Sequence, residues 1–235
     1  MFNLRARLEE LRGDKENTIS LIGVVTQEPC VNHETYGEKF YQFEVETHRL
    51  SGVIDKVPLI ISERVYDVES LKVGQAVQIK GQLRSYNYHE EEHNELTAQR
   101  KQKLVLNVYV IDLFVVDDVR EEEECNDIML IGYICKPPIY RKTPRGREIC
   151  DLLLAVHRPY TSELITKSDY IPCICWGKNA RYIGQMKTGT KLAIVGKLQS
   201  REYAKRTSEF ETEMRIAYEV SVAQVQEMEE TSCNL

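Results

Sequence analysis

The sequence predicts an all-β protein built from two related units in tandem, and three observations carry that prediction. Asn17–Gly23 (NTISLIG) recurs as Asn126–Gly132 (NDIMLIG), and at the same offset of 109 Pro29 matches Pro138, Gly37 matches Gly146, and His48-Arg49 matches His157-Arg158. Further on, Lys72-Val-Gly74 with Gly81-Gln-Leu-Arg-Ser85 matches Lys187-Thr-Gly189 with Gly196-Lys-Leu-Gln-Ser200 at an offset of 115. Repetition at a domain-sized period marks a duplicated fold. Each copy also contains runs that alternate apolar and polar residues with a period of two, bounded by Pro and Gly, and each leaves room for one helical segment.

The elements follow in order. Phe2, Leu4, Leu8 and Leu11 suggest a short amphipathic helix in residues 1–16, with Gly13 as its stop. The first unit, residues 17–116, offers strands at Thr18–Val25, Phe40–Thr47, Val57–Ile61, Ala76–Leu83 and Leu104–Val116, with a helical piece at Tyr66–Lys72. Residues 117–125 are acidic, lack apolar periodicity and read as a linker. The second unit, residues 126–226, offers Ile128–Cys135, Glu148–His157, Tyr170–Trp176, Lys191–Leu198 and Met214–Val225, with a helix at Asn179–Lys187 stopped by Gly189. Residues 227–235 read as a short tail. Five strands with a helix between the third and fourth is the order of an OB-fold barrel, a fold that binds oligonucleotides across one face.

Composition narrows the function. With 42% hydrophobic and 29% charged residues the chain reads as an ordinary globular protein. No apolar run reaches the roughly 18 residues of a membrane span, and the N-terminus lacks the apolar core of a signal peptide. Seven cysteines without a C-x-x-C pair point to reduced thiols and a cytoplasmic setting. The formal net charge of −6 is unevenly divided. Residues 1–124 hold 15 Lys and Arg against 24 Asp and Glu, whereas residues 125–235 hold 16 against 13. Only the second half carries the positive footprint that phosphate binding requires.

One strand concentrates the chemistry. In Ser168–Lys178 (SDYIPCICWGK) the period of two places Ile171, Cys173 and Cys175 on one face, small and apolar as a core requires. Tyr170, Pro172, Ile174 and the chain's only Trp, Trp176, share the other. Tyr170 and Trp176 are six residues apart, or roughly 20 Å along a strand. The competing reading of Trp176 is a core residue covered by the helix that follows it, and that of Tyr203 is packing against the last hairpin. The counterpart in the first unit, Asp55–Arg64 (DKVPLIISER), keeps the inward set as Val57, Leu59 and Ile61 but has Lys56, Pro58, Ile60 and Ser62 outward. The fold needs the inner face twice, while the aromatic outer face occurs once.

The second unit resembles the bacterial single-stranded DNA-binding protein family in its tandem, two-OB form. NDIMLIGYICKPP, TPRGREI, AVHRPY, CICWGK and IVGKLQSREY follow the family's motifs in order over about 80 residues, Asn126–Tyr203. The resemblance implies base stacking on Trp176, Tyr170, Tyr203 and Tyr160, and a role in DNA replication, recombination or repair in the nucleoid. It also implies four OB folds acting together, hence a homodimer of this two-unit chain. The family's flexible tail with an acidic, apolar recruiting tip has no match in EMEETSCNL. Where the second unit has Trp176-Gly177-Lys178 the first has Ser62-Glu63-Arg64, although Tyr88 aligns with Tyr203.

Cations interleave with these rings: Arg158, Lys178, Lys197, Arg201, Lys205 and Arg206, with Lys136, Arg141, Lys142, Arg145 and Arg147 around the first hairpin. Each one that neutralises a phosphate adds to the salt dependence of binding. The first unit is expected to serve assembly or add weak contacts through Arg49, Lys80, Arg84, Tyr86 and Tyr88. His89 and His93 have the i, i+4 spacing of a metal pair on a helix, but their polar setting fits a long hairpin loop. No catalytic constellation gathers at any motif, and no cofactor or metal is expected. The favoured reading is a non-enzymatic, sequence-tolerant single-stranded DNA-binding protein. The competing one is a tandem-OB module that docks replication or recombination proteins, with nucleic-acid contact incidental.

Overall fold

A computed structural model describes residues 16–90, 101–117, 126–158, 167–206 and 212–228. The proposed N-terminal helix, most of the acidic linker, Tyr160 and His93 therefore lie outside the described residues. The described residues are all-β apart from one short α-helix and one 3-10 turn. The first unit contributes β1 (Asn17–Val25), β2 (Cys30–Thr35), β3 (Glu38–His48), β4 (Ile54–Ser62), β5 (Ala76–Glu90) and β6 (Lys101–Val116). The second contributes β7 (Asn126–Ile134), β8 (Ile139–Lys142), β9 (Glu148–His157), β10 (Ser168–Trp176), β11 (Lys191–Arg206) and β12 (Thr212–Glu227), with α1 (Gly177–Ile183) between β10 and β11.

Alternation drives these strands. Along β1 the residues Asn17, Ile19, Leu21, Gly23 and Val25 are buried in strict turn, and along β9 Cys150, Leu152, Leu154 and Val156 do the same. The strands run in the order β2-β3-β4-β6-β5-β1-β7-β11-β12-β10-β9-β8, which reads the same from either end once the two units are matched strand for strand. Additional pairings join β3 to β1 and β9 to β7, so within each unit the path of hydrogen-bonded strands returns to its first strand. Two glycines of the repeat make that return possible. A Cβ at Gly23 would overlap the Glu46 carbonyl and one at Gly132 the Ala155 carbonyl, so each first strand passes across the third at a distance only glycine permits.

The two units do not hang apart on a linker. β1 pairs antiparallel with β7, Asn17 opposite Leu130, Ile19 opposite Ile128 and Leu21 opposite Asn126, which is a local two-fold relation between the repeats. Buried apolar residues of both units, Leu21, Leu59 and Ile79 with Leu130, Leu154 and Leu192 among them, form one contiguous cluster. Asn17 and Asn126 are buried but satisfied. Asn17 Nδ2 donates to the Leu83 carbonyl and its Oδ1 accepts from Leu83 N, and Asn126 does the same with Leu198. The Asn that opens each repeat thus locks its first strand to its fourth sequence-predicted one.

The structure departs from the sequence expectations in several places: α1 spans Gly177–Ile183 and ends at Gly184 rather than running over Asn179–Lys187 to Gly189, and β11 runs past Leu198 to Arg206. β2 and β8 are additional strands, exposed along their whole length, so they carry no burial alternation by which sequence could find them. The helix expected at Tyr66–Lys72 is a 3-10 turn at Val68–Ser70 with no side-chain cap. The polar stretch assigned to a loop begins and ends in strand, with Asn87–Glu90 continuing β5 and Lys101–Gln102 opening β6. His89 consequently sits on a strand, where i, i+4 residues do not form a helical pair.

Candidate nucleic-acid interface

β10 lies between β9, its antiparallel neighbour, and β12, its parallel one. Its inward set is as expected: Ile171, Cys173 and Cys175 are all buried. Burial raises the Cys173 thiol well above its ordinary range and pushes Cys175 up to about 12, with the neighbouring thiol and carboxylate charges acting in the same direction. Both thiols are therefore neutral at physiological pH and suited to packing. On the other face Tyr170 and Trp176 are 42% and 43% exposed. Large rings left that open above a filled core face offer their π surfaces to solvent. Ile174, expected on this open face, is buried in the row Asp151–Ile174–Ser221 at the centre of the sheet between β9 and β12.

Trp176 holds its position through the residue after it. Gly177 has φ +54°, a left-handed conformation that turns the chain from β10 straight into α1. Ala180 and Ile183 then bury the helix against the sheet, and Asn179 Nδ2 donates to the Ala223 carbonyl. The helix thus packs with its own residues and leaves Trp176 at its edge, half exposed.

The other expected residues divide. Lys136, Arg145, Arg147 and Lys178 are exposed and have no ion pair among the described residues. Arg141 pairs with Asp151 at 2.8 Å, and Lys142 and Arg181 both reach Glu148. Arg201 is 3.6 Å from Glu219 and stacks its guanidinium 5.8 Å from the half-buried Tyr203 ring, while Lys197 is half-buried. Lys205 and Arg206 continue β11 opposite Glu213 and Thr212.

Arg158 has a different place. Its Nε and one terminal nitrogen grip Asp169 at 2.9 and 2.7 Å, and the same nitrogen donates to the Ser85 carbonyl of the first unit. Asp169 is fully buried and also accepts from Ser85 N at 2.6 Å and from Arg84 at 3.2 Å, while Tyr170 N donates to Ser85 Oγ. A second junction mirrors this one. Arg49 forms a bidentate pair with buried Asp55, both bonds 2.6 Å, and donates to the Ser200 carbonyl of the second unit; Ser200 N donates back to Asp55. Each unit's Arg–Asp pair therefore holds the other unit's serine. The His-Arg and Ser matches of the repeat are the trace of these reciprocal clamps, and Asp55 and Asp169, which sequence reading did not single out, are their centres.

On the first unit the position of Trp176 is held by Ser62, which is buried and donates to Glu38. Aromatic rings occur elsewhere on its outer surface, at His33, Phe40 and Tyr109. None of them aligns with an aromatic position of the second unit, so the repeat gave no signal for them.

Residues 125–228 match the model of the single-strand binding protein family. A stretch of 80 residues is 31% identical to a single-stranded DNA-binding protein of Halalkalibacterium halodurans, an alignment covering 33% of this chain and 48% of the relative. It is 32% identical over 80 residues to single-stranded DNA-binding protein A of Bacillus subtilis, covering 33% and 46%. The match thus spans about half the length of these curated relatives. Over the whole chain, the wild-type single-stranded DNA binding protein from Thermus aquaticus shares the fold with a TM-score of 0.67 at 18% identity, covering 93% of this chain and 96% of that one. Both units, not only residues 125–228, therefore have this fold. No helix of the described residues is long and apolar enough to cross a membrane.

Proposed function

We propose that the chain is a sequence-tolerant single-stranded DNA-binding protein made of two OB-fold barrels, with no catalytic step of its own. The observation that carries this reading is the outer face of β10, where Tyr170 and Trp176 stay open over a packed inner face within the residues that match the single-strand binding family model. Bases stack on rings without regard to sequence, because every base has a π face. Lys136, Arg145, Arg147 and Lys178 supply cations for the phosphates, with Lys197, Arg201 and Tyr203 extending the path along β11. Tyr160 is assigned to base stacking by the resemblance. Arg158 acts differently from the initial expectation: it fixes the seam from which Tyr170 projects, so its part in binding is positional. The ring-like strand path in each unit supports the barrel assignment. Homodimerisation to four barrels, action in replication, recombination or repair, and a cytoplasmic, nucleoid-associated setting follow from the same reading.

Trp176 is the chain's only Trp, so its fluorescence reads this face alone. Titration with poly-dT is expected to quench it strongly, and the affinity should fall as salt rises. Absence of quenching at low salt overturns the proposal.

A further inference from the structure

The first unit has a surface with the right chemistry for the same ligand at different positions. His33 and Phe40 stack with ring centroids 4.6 Å apart and planes within 4°. Tyr109 lies 6.1 Å from Phe40, and the Arg84 guanidinium sits 6.0 Å over the Tyr109 ring. Tyr86 and Tyr88 follow Arg84 on the same face of β5, both exposed, and Tyr88 is opposite Lys103. None of these rings belongs to the core cluster; the inward positions beside Phe40 are taken by Tyr41 and Phe43. We propose that the first unit carries a second stacking patch for unpaired bases, formed by His33, Phe40 and Tyr109 and continued by Tyr86 and Tyr88. The inference rests on the single-stranded DNA reading and extends it to the unit that lacks a Trp.

Continuity with the first surface argues for the same occupant. Arg84 touches Tyr109 on one side and Asp169 on the other, and Tyr170 directly follows Asp169 with its backbone N–H held by Ser85 Oγ. β5 and β10 therefore adjoin at this seam, so Tyr170 and the rings on β5 belong to neighbouring strands rather than to separated domains. Charge on the patch is locally compensated. Glu38, whose charge adds to burial in raising the Tyr109 hydroxyl, is paired with Arg64 at 3.2 Å. The matched positions in the second unit are Lys142 for His33, Ile149 for Phe40 and Ser221 for Tyr109. The patch is therefore not a copy of the Trp176 site.

The test uses the full chain with two substitutions, Phe40→Leu and Tyr109→Leu, which keep apolar bulk and remove ring faces. Two dT oligomers serve as probes, one of about 8 nucleotides that one unit accommodates and one of about 30 that spans both. Read by Trp176 quenching, the double variant should bind the short oligomer as the unaltered chain does. It should bind the long one about tenfold or more weakly, the loss expected when a stacked base is released. Photocrosslinking of the unaltered chain to a long oligomer bearing 5-iodo-deoxyuridine should label peptides containing Phe40, Tyr86 or Tyr109. Unchanged affinity for the long oligomer, or crosslinks confined to the second unit, overturns the inference. If neither oligomer quenches Trp176, it is the single-stranded DNA reading itself that has failed.

Discussion

The two units share a strand order and a set of locking residues, yet they spend their outer surfaces differently. In the second, the β8–β9 hairpin carries Lys142, Arg145 and Arg147, and the rings stand on β10 beside it. In the first, the matched hairpin carries His33, the fully exposed Tyr36 and Phe40, while the strand matched to β10 carries none. The duplication thus kept what folds the chain and exchanged what faces solvent. Asn17 and Asn126, Gly23 and Gly132, Asp55 and Asp169, and Ser85 and Ser200 persist because each satisfies a buried polar group or a close backbone crossing. Such a group, left unpaired, costs stability wherever it occurs. Exposed rings and cations carry no such obligation, so one copy can lose or move them.

The clamps give the largest expected effect. Asp169→Ala strands two arginines and the Ser85 N–H, and should destabilise the chain by about 3–5 kcal/mol, the usual cost of breaking a buried ion pair. Asp55→Ala removes the partner of one arginine and of Ser200, so its effect should be no larger. Urea denaturation of both variants measures this; a greater loss at Asp55 would show that the two seams are not mechanically alike.

Trp176→Ala should weaken poly-dT binding by about 1–3 kcal/mol, whereas Ser62→Ala at the matched position should leave binding unchanged. Competition assays with a labelled oligomer compare the two directly, since the fluorescence signal is lost with the Trp. Equal effects would erase the contrast drawn between the units on β10 and β4.

The smallest effect separates the hairpins. Arg145→Ala with Arg147→Ala should lower the slope of log affinity against log salt by about 0.7 for each phosphate contact removed from a single strand. His33→Ala should leave that slope unchanged, because its contribution is a ring face. A salt slope that responds equally to both hairpins would mean that charge, not stacking, dominates on both units.

Much of this was legible in the sequence. The period of two fixed the buried faces of β1, β9 and β10, since side-chain alternation is a local property of an extended chain. The motif order placed Trp176 and Gly177 at a strand-to-helix turn, and duplication predicted that both halves fold alike. Tertiary structure alone decided how the halves meet. Pairing of β1 with β7 joins residues more than a hundred positions apart, and the seam at Asp169 collects groups from Arg84, Ser85 and Arg158. It turned Arg158 from an expected phosphate contact into the holder of a junction. It also brought His33, Phe40 and Tyr109 together from three strands that no local pattern connects. Spacing along the chain encodes which face a side chain occupies; which distant side chains share that face depends on strand register, and register is set only once the strands have assembled around their core.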